Sequence, residues 1–575
     1  MVCLKIKTVH LVGFRNFNDA IINFNDDTLI IGANDVGKSN MLYGLRLLLD
    51  KSLSEAALEP SELDFHICKR KACDEFSITI SFNDVKEDAV LSVLKGYVSD
   101  DGCTYLRYEA NRADLNYRIF VGHSLIDLEE INSRFYLKYL NLKYIQSQRD
   151  LQRFIQREKR QLLKLSQQSL TADQKDEDNN LLAEISGNLN DLNEKISQLY
   201  YVEHATKDVN AELKKLAHSN SNYSIQLDTG AIQVSDFIDA LQLGASTHGS
   251  SVLLGGDGRN NQILLALWKA KSIAEHDINH EVVFYVIEEP EAHLHPHQQR
   301  RLARYLIDEL PGQAIITSHS AQIASHFLPD SIVRLLIKDE STIAASQGCS
   351  KCIEAGWEEM GYRISILPAE AFFSNGVFLV EGPSEMLFYS ALAKELDIDL
   401  DYLNISLLSV DGVAFKVYIQ ILDALEIPWV MRTDNDISKV ARQEQWQYAG
   451  INRCLTAINE DPWEHSDTKL VHAQIFFDER WQEFCKITRK KGVFISKVDL
   501  ETDLVSNLTE EVLDGLDLMS PESAIAYLQK KKAIRMRNLI VKIKSKLHVL
   551  KGSDISRPLE HLRDCIIKSR KDDEN

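Results

Sequence analysis

Apolar and polar residues alternate along LKIKTVHLVGF (Leu4–Phe14), and apolar residues group again in AIINF and TLII, the last ending at Ile31. Period-two alternation marks half-buried strands, so residues 4–31 predict two or three short strands. The apolar run Met41–Leu49 then steps at helical spacing and predicts a helix from Asn40. Further strands are expected at Phe76–Phe82, Tyr105–Tyr108 and Leu142–Ile145. The run Val282–Ile287 is wholly apolar, β-branched or aromatic, and reads as a strand buried on both faces. Pro290 stops it. Gln313–Thr317, Asn375–Val380, Leu403–Leu408 and Ile427–Met431 read as more strands, with helices at Gln262–Ile273 and Met386–Leu396. Strands alternating with helices predict an α/β fold.

One region departs from this alternation. Residues 150–217 are rich in Leu, Gln, Lys, Glu and Asn, with no proline. Ile185, Leu189, Leu192, Ile196 and Leu199 step by four, three, four and three, a short heptad seam. The polar stretch Ser169–Asn180 is expected to turn the chain, giving an inserted helical hairpin that pairs with itself or with a second subunit.

Composition narrows the class. The 575 residues suggest three or four domains, on a scale of about 150 residues each. Hydrophobic content of 44% and charged content of 26% suit large cores. No apolar run approaches the roughly 18 residues of a membrane span, and the N-terminus lacks a secretory h-region. Nine scattered cysteines fit free thiols in a reducing cytoplasm, and Cys349-x-x-Cys352 has no second ligand pair for zinc. A net charge of −20 argues against a uniformly basic nucleic-acid surface. Any such contact must be local, with candidates in 149–164, 489–497 and 530–546, each of which reads first as a solvated helix face.

The chemistry begins at Gly32-Ala-Asn34-Asp-Val-Gly37-Lys38-Ser39, a GxxxxGKS placed between a strand and a helix. Glycines let backbone N–H groups wrap phosphates, Lys38 reaches the β- and γ-phosphates, and Ser39 holds magnesium. Gly32, Asn34 and Gly37 line the same cradle. Glu288 and Glu289 at the end of the buried strand supply one carboxylate for magnesium and one to orient water. The glycines of Leu254-Gly-Gly256-Asp-Gly258-Arg259 offer a second anion site at a helix start. His319, at the end of QAIIT, suits a γ-phosphate sensor, and Gln146 or Gln148 could touch metal or phosphate. His293, His295 and His297 surround Pro296 and read as a loop and helix start rather than a metal cluster.

A second acidic set lies further on. Glu381 and Glu385 follow one strand, and Asp434 and Asp436 follow another. Like charges gathered at one sheet edge repel unless a cation sits among them, and two divalent ions bridging a phosphodiester are one solution.

The first set resembles the ATP-binding-cassette head of SMC-like and OLD (overcoming lysogenisation defect) ATPases over about residues 1–340. That resemblance implies a signature-like loop at Leu254–Arg259, a switch histidine at His319, and ATP sandwiched between Lys38 of one subunit and the glycine loop of another. Glu288 stands where the family has aspartate, which implies a different distance to magnesium. Glu381 in FLVEGPSE with Asp434 and Asp436 in TDND resembles a Toprim domain. A cassette followed by Toprim is the OLD architecture. The fold class so implied is α/β: a cassette ATPase in 1–149 and 218–345, a helical dimerisation hairpin in 150–217, a linker in 346–371, and Toprim with C-terminal helices in 372–575.

The same resemblance makes Lys497–Leu504 the family's acidic segment, adding Asp499 and Glu501 as metal ligands. It makes Leu528–Lys532 a segment whose last lysine, Lys532, faces the scissile phosphate. Within the family the chain is similar to the Gabija antiphage-defence nucleases. Arg432 stands where they have lysine, a change not expected to alter the chemistry. The implied activity is a nucleotide-regulated endonuclease that uses Mg²⁺ or Mn²⁺ and ATP on double-stranded DNA. A UvrD-like helicase partner and a dimer or tetramer are implied with it. The competing reading is an ATP-driven switch or scaffold with an inactive Toprim site. A topoisomerase would need a catalytic tyrosine domain, which is not evident.

Overall fold

The computed structural model describes residues 4–68, 71–145, 151–197, 199–200, 244–247, 250–253, 281–292, 294–349, 366–410 and 415–574, with single positions at 207, 263, 266, 267, 270 and 412. The signature-like loop with Gly256 and Gly258, together with Gln146, Gln148, His293 and Cys352, lies outside them. The chain divides into two compact units: 1–147 with 278–291 and 296–575, and 148–277 with 292–295.

Among the described residues the larger unit is built on three main sheets, besides two two-stranded ribbons, Ile67–Cys68 with Lys71–Ala72 and Ser438–Lys439 with Trp446–Gln447. An antiparallel sheet runs Phe17–Asn23, Lys5–Phe14, Glu75–Asn83, Thr104–Asn111, Asn116–Gly122, Glu129–Ile131. A second sheet orders Leu140–Ile145, Val282–Glu288, Ala314–Thr317, Asp27–Ile31, Ile332–Lys338 and Ser341–Ala344, parallel except for the last strand. Val282–Glu288 is buried along its whole length, as a central parallel strand must be. The helix Lys38–Leu49 packs against both sheets through Met41, Leu42, Leu45 and Leu48, all in one apolar core. Gly44 lets it lie close, since a Cβ there would stand 3.2 Å from Leu11.

The third sheet is parallel, ordered Ile405–Ser409, Gly376–Val380, Trp429–Thr433, Val493–Ile495. Helices Pro383–Glu395, Leu500–Asn507, Lys532–Ile543 and Arg557–Glu574 pack around it. The expected strand Leu403–Leu408 starts later. Asp399 caps a short helix Leu400–Leu403, and Asn404 turns the chain at φ +53° before Ile405. One arginine ties the second sheet to this third one. Arg334 pairs in register with Ile31, and its guanidinium donates to the carbonyls of Leu425 (3.0 Å), Glu426 (2.9 Å) and Ser374 (3.4 Å). Burial pushes its pKa down to about 10.

In the smaller unit, helices Leu151–Gln168 and Ala172–Ser197 form where a hairpin is expected. The turn is narrower than the polar stretch suggested, only three residues, because Gln174, Lys175 and Glu177 are good helix formers and no glycine or proline interrupts the stretch. Leu189 on the seam is buried, whereas Ile185 and Leu192 are 45% and 47% exposed. No helix among the described residues is long and apolar enough to cross a membrane.

Candidate functional sites

The strand Asp27–Ile31 delivers the loop Gly32–Gly37 at its C-terminal end, and the helix begins at Lys38. Gly37 has φ +104°, and a Cβ there would overlap the Asn16 amide, so the loop needs a glycine. That amide holds the loop by donating to Val36 O at 2.8 Å. Lys38 is 6% exposed and donates to Gly32 O (3.0 Å) and Ala33 O (2.8 Å). Burial holds its pKa below the usual lysine value, against the pull of Glu289 and Glu288. Asn34 is exposed at the loop tip.

Glu288, buried, accepts from the Ser39 hydroxyl on one oxygen and from Tyr144 at 2.5 Å on the other. Serine hydroxyl and carboxylate side by side are hard oxygen donors that fit magnesium. The longer glutamate therefore reaches the P-loop serine directly. Glu289 sits at φ +44°, and its carboxylate lies 3.3 Å from His319 Nε2. Burial, then the Lys38 charge, lowers the His319 pKa, so the ring is neutral and free to accept as well as donate. The residue beyond them was not anticipated. Glu291 accepts from the His319 N–H (2.7 Å) and the Ser318 hydroxyl (2.8 Å), and its second oxygen is buried with no hydrogen-bond partner. The expected helix start at Pro296 is present.

The acidic set lies at the C-terminal edge of the third sheet. Glu381 ends the strand Gly376–Val380, and its Oε1 accepts from the Thr433 hydroxyl, the Asp434 N–H (2.8 Å) and Arg453 (2.5 Å). Asp434, 7% exposed, lies 3.1 Å from Lys532 Nζ. Burial, then the charge of Glu381, pushes its pKa up to about 7. Glu385 on the next helix rises to about 7 through burial and the neighbouring Glu501 and Glu381. Glu501 is fully buried, and its Oε2 makes no closer polar contact than the Lys532 ammonium at 3.5 Å. Against burial, Asp434 and Glu501 hold the Lys532 pKa above the usual lysine value.

Two predicted ligands sit at the margin. Asp436 is half-exposed and pairs with Arg453 at 2.7 Å. Asp499 caps the helix Leu500–Asn507, accepting from the Thr502 N–H (2.7 Å) and from Gln529 (2.6 Å). Asp503 turns away into a buried pair with Arg432 at 2.6 Å, and Arg432 also donates to Tyr389. So Arg432 serves packing, not the acidic edge.

Arg453 carried no sequence signal. It lies in the helix Ala449–Ala457, whose Gly450 packs on the backbone of Asp434–Asp436 with no room for a Cβ. One turn on, Arg453 then meets Glu381 and Asp436. Lys532 and Arg453 thus stand among the carboxylates. Among the described residues no three His, Cys, Asp or Glu side chains converge closely enough to hold a metal ion as placed. The donors nevertheless fit a divalent cation chemically. They are buried carboxylate oxygens, two of the groups raised to about 7 by burial and by neighbouring carboxylates, and Glu501 Oε2 has only the Lys532 ammonium, at 3.5 Å, to answer it.

Comparisons with known proteins agree with these two centres. The AAA ATPase domain family matches residues 4–138 and 123–324. The family described as "Overcoming lysogenization defect protein-like, TOPRIM domain" matches residues 372–436. The chain is similar to "Endonuclease GajA" of Bacillus cereus (strain VD045), 24% identical over 573 residues, covering 94% of this chain and 96% of that protein. It is similar to "OLD nuclease" of Thermus scotoductus (strain ATCC 700910 / SA-01), 25% identical over 203 residues, 33% of this chain and 37% of that one. Among solved structures, the C-terminal region of the Burkholderia pseudomallei OLD protein is 26% identical, covering 34% of this chain and 99% of that chain at a TM-score of 0.23. The ATPase match spans more than half of the chain, so the chain belongs to the AAA ATPase-domain family, and residues 372–436 behind it match the OLD-like Toprim domain.

Proposed function

We propose that this chain is a divalent-metal-dependent DNA endonuclease regulated by nucleotide, acting in the cytoplasm in antiphage defence. The observation that carries the reading is the acidic edge built from Glu381, Asp434, Glu385 and Glu501 around Lys532. Three of these carboxylates, Glu385, Asp434 and Glu501, are buried, at a cost that one lysine does not cancel, and a phosphodiester brings further negative charge that needs a cation. Asp434, Glu385 and Glu501, with Asp436 and Asp499 at the rim, would hold one or two Mg²⁺ or Mn²⁺ ions. When bound, these supply Lewis-acid activation of water and neutralise the phosphate. Glu381, held by the Thr433 hydroxyl and the Asp434 N–H, would add its carboxylate to the same ions at the sheet edge. Lys532 faces the same edge and stabilises charge developing on the phosphate oxygens.

At the other centre, ATP would lie on the Gly32–Ser39 loop, with Lys38 leaving its two carbonyls for the phosphates. Glu289 and His319 would face the γ-phosphate. The GajA resemblance extends the reading to a UvrD-like helicase partner and a dimer or tetramer. The half-covered seam Ile185–Leu192 supplies one surface for that assembly.

The test is nicking of supercoiled plasmid with Mg²⁺ or Mn²⁺, with and without ATP, by wild type and Glu381→Ala. Cleavage that disappears in the variant supports the reading, and the ATP lanes give the sign of control. ATP turnover with no cleavage of any DNA would instead favour the scaffold.

A further inference from the structure

The run Lys530–Lys551 holds nine lysines and arginines in 22 residues and no aspartate or glutamate, in a chain with 65 basic and 85 acidic residues. Its helix, Lys532–Ile543, buries Met536, Leu539, Ile540 and Ile543 in the Toprim core. The opposite face is exposed at Ile534, Arg537, Asn538, Val541 and Lys542, spaced three and four apart. A 3-10 segment, Lys544–Leu550, continues with Lys544 and Lys546 exposed, and Lys551 follows.

These cations are largely uncommitted. Among the described residues no carboxylate pairs with Lys530, Lys531, Arg537, Lys546 or Lys551, and Lys544 approaches Glu395 only at 3.9 Å. Lys542 is held by a carbonyl, Gly515 O, at 2.7 Å. The main apolar side of the helix is spent on the core, leaving Ile534, Val541 and Val549 exposed singly among the cations. The lane starts at Lys532, whose ammonium sits on Asp434 and Glu501. A polyanion whose one phosphate lies at that edge would carry its neighbouring phosphates along the lane. Twelve helical residues span about 18 Å, the length of about five base pairs.

We propose that the exposed face of Lys530–Lys551 is the track on which the duplex DNA backbone lies as it enters the Toprim edge, a proposal that rests on the nuclease reading above. Its contacts go to phosphate, so they position the duplex and select no sequence.

The experiment measures binding of a 30-base-pair duplex by fluorescence anisotropy in EDTA, from 50 to 200 mM salt. The variant is Arg537→Gln/Lys546→Gln/Lys551→Gln. A control of equal charge change on the ATPase lobe is Lys86→Gln/Lys95→Gln/Lys138→Gln. Three lost phosphate contacts should flatten the slope of log K against log salt by about 2.7. Across that four-fold rise in salt the variant would lose about 40-fold less affinity than wild type, with Lys546→Gln alone giving about a third of the slope change. Plasmid cleavage should show a raised KM at unchanged kcat. If wild type cuts and binds duplex but the variant keeps its slope, or the control flattens it equally, the track is overturned and the nuclease stands. If wild type neither binds nor cuts any duplex, the nuclease reading fails and the track falls with it.

Discussion

Asp434→Asn isolates the charge problem at the acidic edge. The carboxyl of Asp434 is raised from 3.8 to about 7, first by burial and then by Glu381. A group bound more tightly to its proton in the folded state contributes stability that is fully present below about pH 4 and lost as pH rises through 7. About three pH units at about 1.4 kcal/mol each make that loss about 4 kcal/mol in metal-free protein. Asparagine has nearly the same shape and cannot ionise. It gives up the contact to Lys532, a cost of about 1–3 kcal/mol at any pH. Urea unfolding in EDTA, followed at pH 5 and pH 8, should therefore show Asp434→Asn less stable than wild type at pH 5. By pH 8 it should have gained about 3 kcal/mol relative to wild type, the part of that loss lying between pH 5 and 7, ending equal or ahead. Adding Mn²⁺ at pH 8 should then raise wild type and leave the variant nearly where it was. If the difference between the two proteins is the same at both pH values, neither burial nor Glu381 keeps a proton on Asp434, and the argument for a cation-seeking edge collapses.

Gly37→Ala should abolish nucleotide binding by fluorescent-ATP titration while the fold persists, since φ +104° and the Asn16 amide leave no place for a methyl group; normal affinity would refute the cradle. Asp503→Ala should destabilise the protein by about 3–5 kcal/mol, because it leaves the buried Arg432 charge uncompensated, and an unchanged urea midpoint would return that pair to a minor role. Arg453→Gln removes a 2.5 Å and a 2.7 Å charged contact. Calorimetry should show Mn²⁺ binding at least tenfold tighter once Glu381 and Asp436 are released, whereas weaker binding would make Arg453 a support for the ligands rather than their competitor.

What could be read from the chain was local. GxxxxGKS needs only eight consecutive residues, and the wholly apolar run before Glu288 announces a central strand without any knowledge of its neighbours. Glu381 and Asp434 were singled out the same way, at the ends of apolar strands, whereas Lys532 was singled out by resemblance alone. Partners set by packing were not legible. Tyr144 reaches Glu288 only because its strand lies beside Val282–Glu288 in the sheet. Arg453 reaches Glu381 only because Gly450 lets a helix lie on the TDND backbone. Asp499 and Asp503 sit in one acidic segment and look alike in sequence. The helix starting at Leu500 makes the first a cap and turns the second into the core. The hairpin turn was drawn too wide because polarity was taken for a break, when charged residues without glycine or proline extend a helix as readily as they end one.

Arg334 sits in register with Ile31, the residue before the phosphate loop, and its fingers close on carbonyls at the foot of the strand that ends in Asp434. Any coupling carried through such a contact runs in both directions. Thermodynamic reciprocity then requires that whatever factor nucleotide imposes on metal affinity at the acidic edge, metal must impose on nucleotide affinity at the loop. The nuclease end would thus serve as a gauge of the ATPase end, and calorimetry at either one would report the state of the other.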